Sequence, residues 1–521
     1  MSRASPDNVL FVVLDTVRKD RLGPYGYEPD TTPGLDAFAA ESDVTVFEEA
    51  VAPAPWTLPV HASLFTGMYP SHHGADQENP YLEGATTLAE SLSREGYATA
   101  CYSSNAWITP YTHLTDGFDD QDNFFQVMPG DLLSGPLAKA WKTMNDNETL
   151  RTVADKLVSL GNVAHEYFAS GEGSDSKTPA VIDRTQSFVD DAEASGDDWF
   201  AFVNLMDAHL PYHPPDEYAE EFAPGVDSTE VCQNSKEFNA GARDIDVDEW
   251  EAIEGLYDAE IAHIDAQLTR LFDWLRETDR WDDTAVVVCA DHGELHGEHG
   301  LYGHEFCLYD QLVNVPLLVK HPEIDGDRRE DTVELLDLYH TVLDTLDVTA
   351  GVPVAPDEDS VPLDRTRSLL ADDYRAFADA TEPDPGQAAA VDGEHGFVEY
   401  SRPVVELKQL EEKASAAGVA LPEDSRFYSR MRAARGTAGK YVRITRIDDE
   451  AFRLDEDPDE TENLADGDDP VIEETESRLA AFEEAVGGAW TEPDDADVSD
   501  DSLDQMDDEA RERLQDLGYV E

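Results

Sequence analysis

Five short stretches are hydrophobic without interruption: NVLFVVL (Asn8–Leu14), YATACYSS (Tyr97–Ser104), WFAFVNLM (Trp199–Met206), TAVVVCA (Thr284–Ala290) and VPLLVK (Val315–Lys320). A strand with one wet face alternates every second residue, so continuous runs of Val, Phe and Leu have to be covered on both faces. Helical patterns lie between them. Thr87–Gly96 ends on a glycine stop signal, and Trp250, Ile253, Tyr257, Ile261, Ile264, Leu268, Leu271 and Leu275 recur at spacings of three and four between Asp246 and Thr278. Buried strands that alternate with helices specify an α/β class: a large, mostly parallel sheet with helices on both faces.

The texture changes near Gly351. A Pro- and Asp-rich loop, GVPVAPDEDSVPLD, precedes a mixed region, and KYVRITRIDDEAFRL (Lys440–Leu454) reads as a hairpin turning at Asp448–Asp449. The chain closes on an acidic linker and a short helix, DDEARERLQDLGYV. The expected division is a catalytic domain over 1–375 and a smaller C-terminal α+β subdomain, with a small antiparallel sheet and an acidic tail, over 376–521.

Charge narrows the function classes. The 521 residues carry 115 acidic against 36 basic side chains, a net charge of −79 spread along the chain. Such a surface suits molar salt, which screens its self-repulsion, and an anionic substrate would be repelled at low ionic strength. No basic patch exists to hold nucleic acid. Cys101, Cys232, Cys289 and Cys307 stand far apart, which fits neither a disulfide framework nor a zinc ribbon. The start lacks a signal-peptide pattern and no run approaches about 20 apolar residues, so no membrane span and a cytoplasmic location are expected.

Ligands of open α/β sheets sit at the carboxyl ends of the strands. Along that edge this chain places Asp15, then Asp207 and His209, then Asp291 and His292 in DHGELHGEHGLYGH. APWTLPVHASLFTG adds a helix start with Thr57 as N-cap, Pro59 in the first turn and His61 one turn on, at the helix's positive end. Singly, Asp15 reads as a turn cap, Thr57 as a helix cap and His209 as a backbone-bonded loop residue. All would have to be so at once, and His292, His296, His299 and His304 crowd one loop where so acidic a chain would place Asp or Glu. Together they form an inventory of a hard-metal site with a hydroxyl nucleophile.

NVLFVVLDTVRKDRLGPYGY, WTLPVHASLFTGMYPSHHG, ADHGELHGEHGLYGH and FRLDEDPDETENLAD, with VELLDLYHTVLDTLDV and the closing LQDLGYV, resemble the successive signatures of the sulfatase family of the alkaline phosphatase superfamily. The likeness spans nearly the whole chain except about 127–198. It implies an alkaline phosphatase-like sandwich. It also implies one divalent metal ion on Asp15, Asp291 and His292, with Ca²⁺ favoured over Mn²⁺ or Mg²⁺. Thr57 falls at the nucleophile, which also touches the metal. His209 and His304 fall where the family binds the anionic ester or protonates the leaving oxygen, and His61 where an arginine orients the nucleophile. Typical members carry Cys or Ser at position 57, oxidised to formylglycine, which threonine cannot become. They also carry a second aspartate where this chain has Thr16, and a lysine where it has His304. The resemblance thus implies a metal-dependent hydrolase of a sulfate or phosphate ester, its substrate a sulfated or phosphorylated small molecule or glycan. A phospho-alcohol or sulfo transferase acting on a glycan, or a degenerate glycan-binding protein, are the alternatives.

Overall fold

The computed structural model describes residues 5–76, 79–124, 176–324, 327–354, 359–371, 374, 394–488 and 490. The expected closing helix, most of the unmatched 127–198 segment and the expected boundary near 375 lie outside these residues. The strands are β1 (Asn8–Leu14), β2 (Val44–Val51), β3 (Ala98–Ser103), β4 (Asp120–Asn123), β5 (Trp199–Leu205), β6 (Thr284–Cys289), β7 (Leu295–His296), β8 (Tyr302–Gly303), β9 (Asn314–Lys320), β10 (Arg328–Glu334), β11 (Gly396–Tyr400), β12 (Met431–Arg435), β13 (Lys440–Ile444) and β14 (Glu450–Phe452).

Eight of them form one sheet in the order β10-β2-β9-β6-β1-β5-β3-β4. All five apolar runs are in it, and β1 sits near its middle, parallel to β5 and β6. Strand β9 runs antiparallel to β2 and β6, so the sheet is mostly rather than wholly parallel. Continuous hydrophobicity reports cover on both faces, not strand direction. Strands β2, β4 and β10 were not among the apolar runs: Glu48 and Glu49 interrupt β2, and β4 and β10 are edge strands whose polar side chains meet water.

Helices α1 (Thr57–Thr66), α2 (Leu88–Glu95), α3 (Thr178–Ser195) and α4 (Val247–Glu277) flank the sheet. Helix α2 has the expected ends: Thr87 and Glu90 make a reciprocal capping box, and Gly96 closes it at φ +95°. In α4 the stripe from Ile253 to Leu275 is buried, with Asp246 as its N-cap. Among the described residues no helix is long and apolar enough to cross a membrane.

Strands β11 to β14 form a separate antiparallel sheet, and the predicted hairpin is its β13–β14 pair. Phe397, Tyr441, Ile472, Leu479 and Phe482 form a local core beneath it. Its attachment to the main body is ionic as well as apolar. Lys440 Nζ lies 2.9 Å from Asp310 and 2.8 Å from Glu460, and Arg435 joins Asp310 at 2.8 Å and Glu49 at 2.6 Å. Lys440 and Glu460 are fully buried. Removing one partner of such a group strands an opposite charge in low dielectric, so Lys440→Met is expected to destabilise by about 3–5 kcal/mol in urea unfolding. A loss below about 1 kcal/mol, the range of exposed pairs, would reject that role for the cluster.

Candidate active site

The site grows from loops at the carboxyl ends of β1, β3, β5 and β6, plus the start of α1. Asp15 directly follows β1, and Asp291 and His292 follow β6 by two and three residues. All three are fully buried, and their ligand atoms lie within 4.8 Å of one another. Among the described residues this is the one such group of His, Cys, Asp and Glu. Asp15 Oδ2 accepts from Asn105 Nδ2 at 2.8 Å and from Asn204 Nδ2 at 3.1 Å, while Asp291 Oδ1 accepts from the N–H groups of Thr16 and His292. Asp15 Oδ1 and Asp291 Oδ2 have no hydrogen-bond partner among the described residues. Two buried carboxylate oxygens without donors, beside one another, are a place where a cation could bind in exchange for a proton. His292 fits the same purpose: its Nδ1 lies 3.0 Å from the Gly293 carbonyl, leaving Nε2 for the cluster. Burial, then the neighbouring His304 cation, hold His292 well below the usual imidazole range, hence neutral, as a ligand must be. The oxygen-rich set suits a hard divalent ion.

Thr57 departs from its expected local role. The N-cap position belongs to Trp56, Thr57 is the first helical residue, and no side chain caps this end. Instead the Thr57 hydroxyl stands 3.5 Å from His292 Nε2 and 3.3 Å from Asn105 Nδ2. His61 lies one turn on, but its Nδ1 faces the Thr57 carbonyl at 2.9 Å rather than the hydroxyl. Burial, opposed by Asp15, pushes His61 down to about 4, so it is a neutral group under the helix start and no replacement for an arginine's charge. Thr16 also turns away from the cluster: at φ +59° its hydroxyl donates to the Ala208 carbonyl at 2.6 Å, and only its N–H serves the site.

Beyond Thr57 lies an open cleft lined by Trp56, Trp107, His209, Lys236, His304 and Tyr400, among others. His209 and His304 meet at 5.3 Å between ring centroids, and His304 lies 4.6 Å from His292. His304 Nδ1 is 3.2 Å from Glu294 Oε1. Burial pulls its pKa down, but Glu294 and Glu305 outweigh that and raise it to about 9. Position 304 therefore remains cationic at neutral pH. The other two histidines of the crowded loop go elsewhere: His296 is in the core, 3.0 Å from the Tyr212 hydroxyl, and His299 stacks on Tyr309.

Sequence reasoning missed Asn105, Asn204, Lys236, Glu294 and the two tryptophans. The strand-end rule that selected Asp15 would also have found Asn105, two residues past β3, and Asn204 near the end of β5. Lys236 had no signal: it sits on a short helix, Ser235–Asn239, and reaches the cleft through an ion pair with Glu305.

The strand ends of a doubly flanked sheet thus gather two buried carboxylates, a histidine and a helix-start hydroxyl at one rim. The chain belongs to the sulfatase family, whose model matches residues 7–348. It is accordingly a sulfuric or phosphoric ester hydrolase. It is 26% identical over 390 residues to "Uncharacterized sulfatase YidJ" of Escherichia coli, covering 70% of this chain and 72% of that one. To an arylsulfatase of Clostridium perfringens it is 24% identical over 371 residues, covering 65% and 74%. A solved phosphonate monoester hydrolase of Agrobacterium radiobacter shares the fold at TM-score 0.59 and 20% identity, over 92% of this chain and 96% of that one.

Proposed function

We propose that the chain hydrolyses a sulfate or phosphate ester with Thr57 as nucleophile, on one divalent cation held by Asp15, Asp291 and His292. The supporting observation is the Thr57 hydroxyl at 3.5 Å from His292 Nε2, beside two buried carboxylate oxygens without donors. A divalent ion there supplies the positive charge that lowers the pKa of the hydroxyl and offsets the charge of the ester oxygens. Asn105 fixes the Thr57 side chain and Asp15 in one geometry. The N-terminus of α1 turns free N–H groups toward the anion. Thr57 Oγ, its proton released to solvent at the lowered pKa, attacks phosphorus or sulfur in line, forming a covalent threonyl ester as the bond to the alcohol oxygen breaks. His304, held protonated by Glu294, gives its proton to that oxygen, and water then hydrolyses the threonyl ester. His209 faces the same cleft as a contact for the anionic group.

The discriminating measurement is an assay of p-nitrophenyl sulfate against mono- and bis-p-nitrophenyl phosphate with Mn²⁺, Mg²⁺ or Ca²⁺, across ionic strength. Turnover of at least one ester is expected, rising with salt as the charge of −79 is screened. Absence of turnover on the panel favours a binding protein, and a maximum at low salt contradicts the electrostatic reading.

A further inference from the structure

The loop that carries His304 and Glu305 is tied to the C-terminal sheet at Tyr400, and again further along through Tyr309 and Asp310. Tyr400 is the last residue of β11, and its hydroxyl accepts the backbone N–H of Phe306 at 3.0 Å. Phe306 adopts φ +72°, a left-handed conformation that a bulky side chain disfavours. Such a backbone persists only where its surroundings over-determine it. Here three contacts do so: the Phe306 ring is fully buried against Phe427 at 5.1 Å, its N–H is taken by Tyr400, and Glu305 is ion-paired to Lys236. Tyr400 itself is buried, lines the cleft and belongs to a strand outside the main sheet.

We infer that Tyr400 is a positioning residue for leaving-group protonation, fixing the turn at Phe306 so that His304 stays aimed at the ester oxygen. This rests on the assignment of His304 as the proton donor. The C-terminal sheet therefore takes part in the reaction at one remove, by holding the loop that holds the acid. Tyr400→Phe removes the acceptor and keeps the ring, so the fold and cleft wall remain.

The consequence is selective. An ester with a good leaving group departs without a proton, whereas a poor one needs the acid. Rates for a series of substituted phenyl esters of the sulfate or phosphate the enzyme accepts are therefore measured for parent, Tyr400→Phe and His304→Gln, with thermal melting of each. Tyr400→Phe is expected to lower kcat by about tenfold or more for phenyl and alkyl esters and by less than about threefold for p-nitrophenyl esters. It thus steepens the dependence of rate on leaving-group pKa in the same direction as His304→Gln, with a melting temperature lowered only by the few degrees one unsatisfied buried N–H costs. An equal loss across the series, or no loss, in Tyr400→Phe while His304→Gln steepens the dependence, overturns the positioning role alone. A dependence left unchanged in His304→Gln overturns the acid assignment and the inference with it.

Discussion

Thr57→Ala is expected to lower kcat by about 10³-fold or more, because among the described residues no other hydroxyl stands at the start of α1 beside His292 to form the covalent ester. The loss will not be one of folding. Thr57 caps nothing in α1, and among the described residues its hydroxyl reaches only Asn105 and His292, so melting should move little. Thr57→Ser keeps the hydroxyl on the same backbone and is expected to retain a measurable fraction of the activity. Rapid quenching of the parent with a poor second step should show Thr57 heavier by one sulfuryl or phosphoryl group. Full activity in Thr57→Ala, or the adduct on another residue, would falsify the nucleophile assignment.

The second large effect concerns the cation. Burial, then the nearby Asp15 charge, raise the Asp291 carboxyl well above its ordinary value in the metal-free protein. An unfolded aspartate titrates at about 3.9, so above that pH the unfolded chain has released a proton that the native chain still holds. The unfolded state then binds fewer protons, and metal-free stability falls as pH rises until the native group also titrates. Cation binding needs both carboxylates ionised, so metal stabilisation grows over the same rise in pH. Calorimetry at neutral pH should show a gain of about 2.7 kcal/mol at a metal concentration a hundredfold above Kd, reversed by a chelator together with activity. Asp291→Asn should raise metal-free stability at neutral pH, since it removes a buried carboxyl whose ionisation burial and Asp15 oppose, and abolish the metal-induced shift. A shift that survives in Asp291→Asn, or no shift with Mg²⁺, Mn²⁺ or Ca²⁺, counts against this site.

Much of this site was legible because its chemistry lies next to strongly patterned elements. Asp15 ends an apolar run, Asp291 and His292 follow another, and His304 lies in the same glycine-rich loop. The crowding of histidines carried less than it promised: of the four, His304 lines the cleft and His292 lies beside it in the buried cluster, while His296 and His299 pack against tyrosines. Thr57 does begin a helix, as its sequence context suggests, but not as its cap. Its residue type and the proline after it fit a cap, yet Trp56 took that position and left the hydroxyl for the cluster.

By itself the sequence determined the five buried strands, the long helix Val247–Glu277 and the acidic groups at the strand ends, because burial on both faces and helical spacing are written in neighbouring residues. Only the tertiary structure decided that Asn105 and Asn204 take one oxygen of Asp15, that Lys236 enters the cleft, and that Tyr400 anchors the turn at Phe306. Those partners lie 90, 189, 69 and 94 residues from the groups they serve. A hydrogen bond depends on where loops and a second sheet finally dock, and that is a property of the packed chain, not of any local stretch.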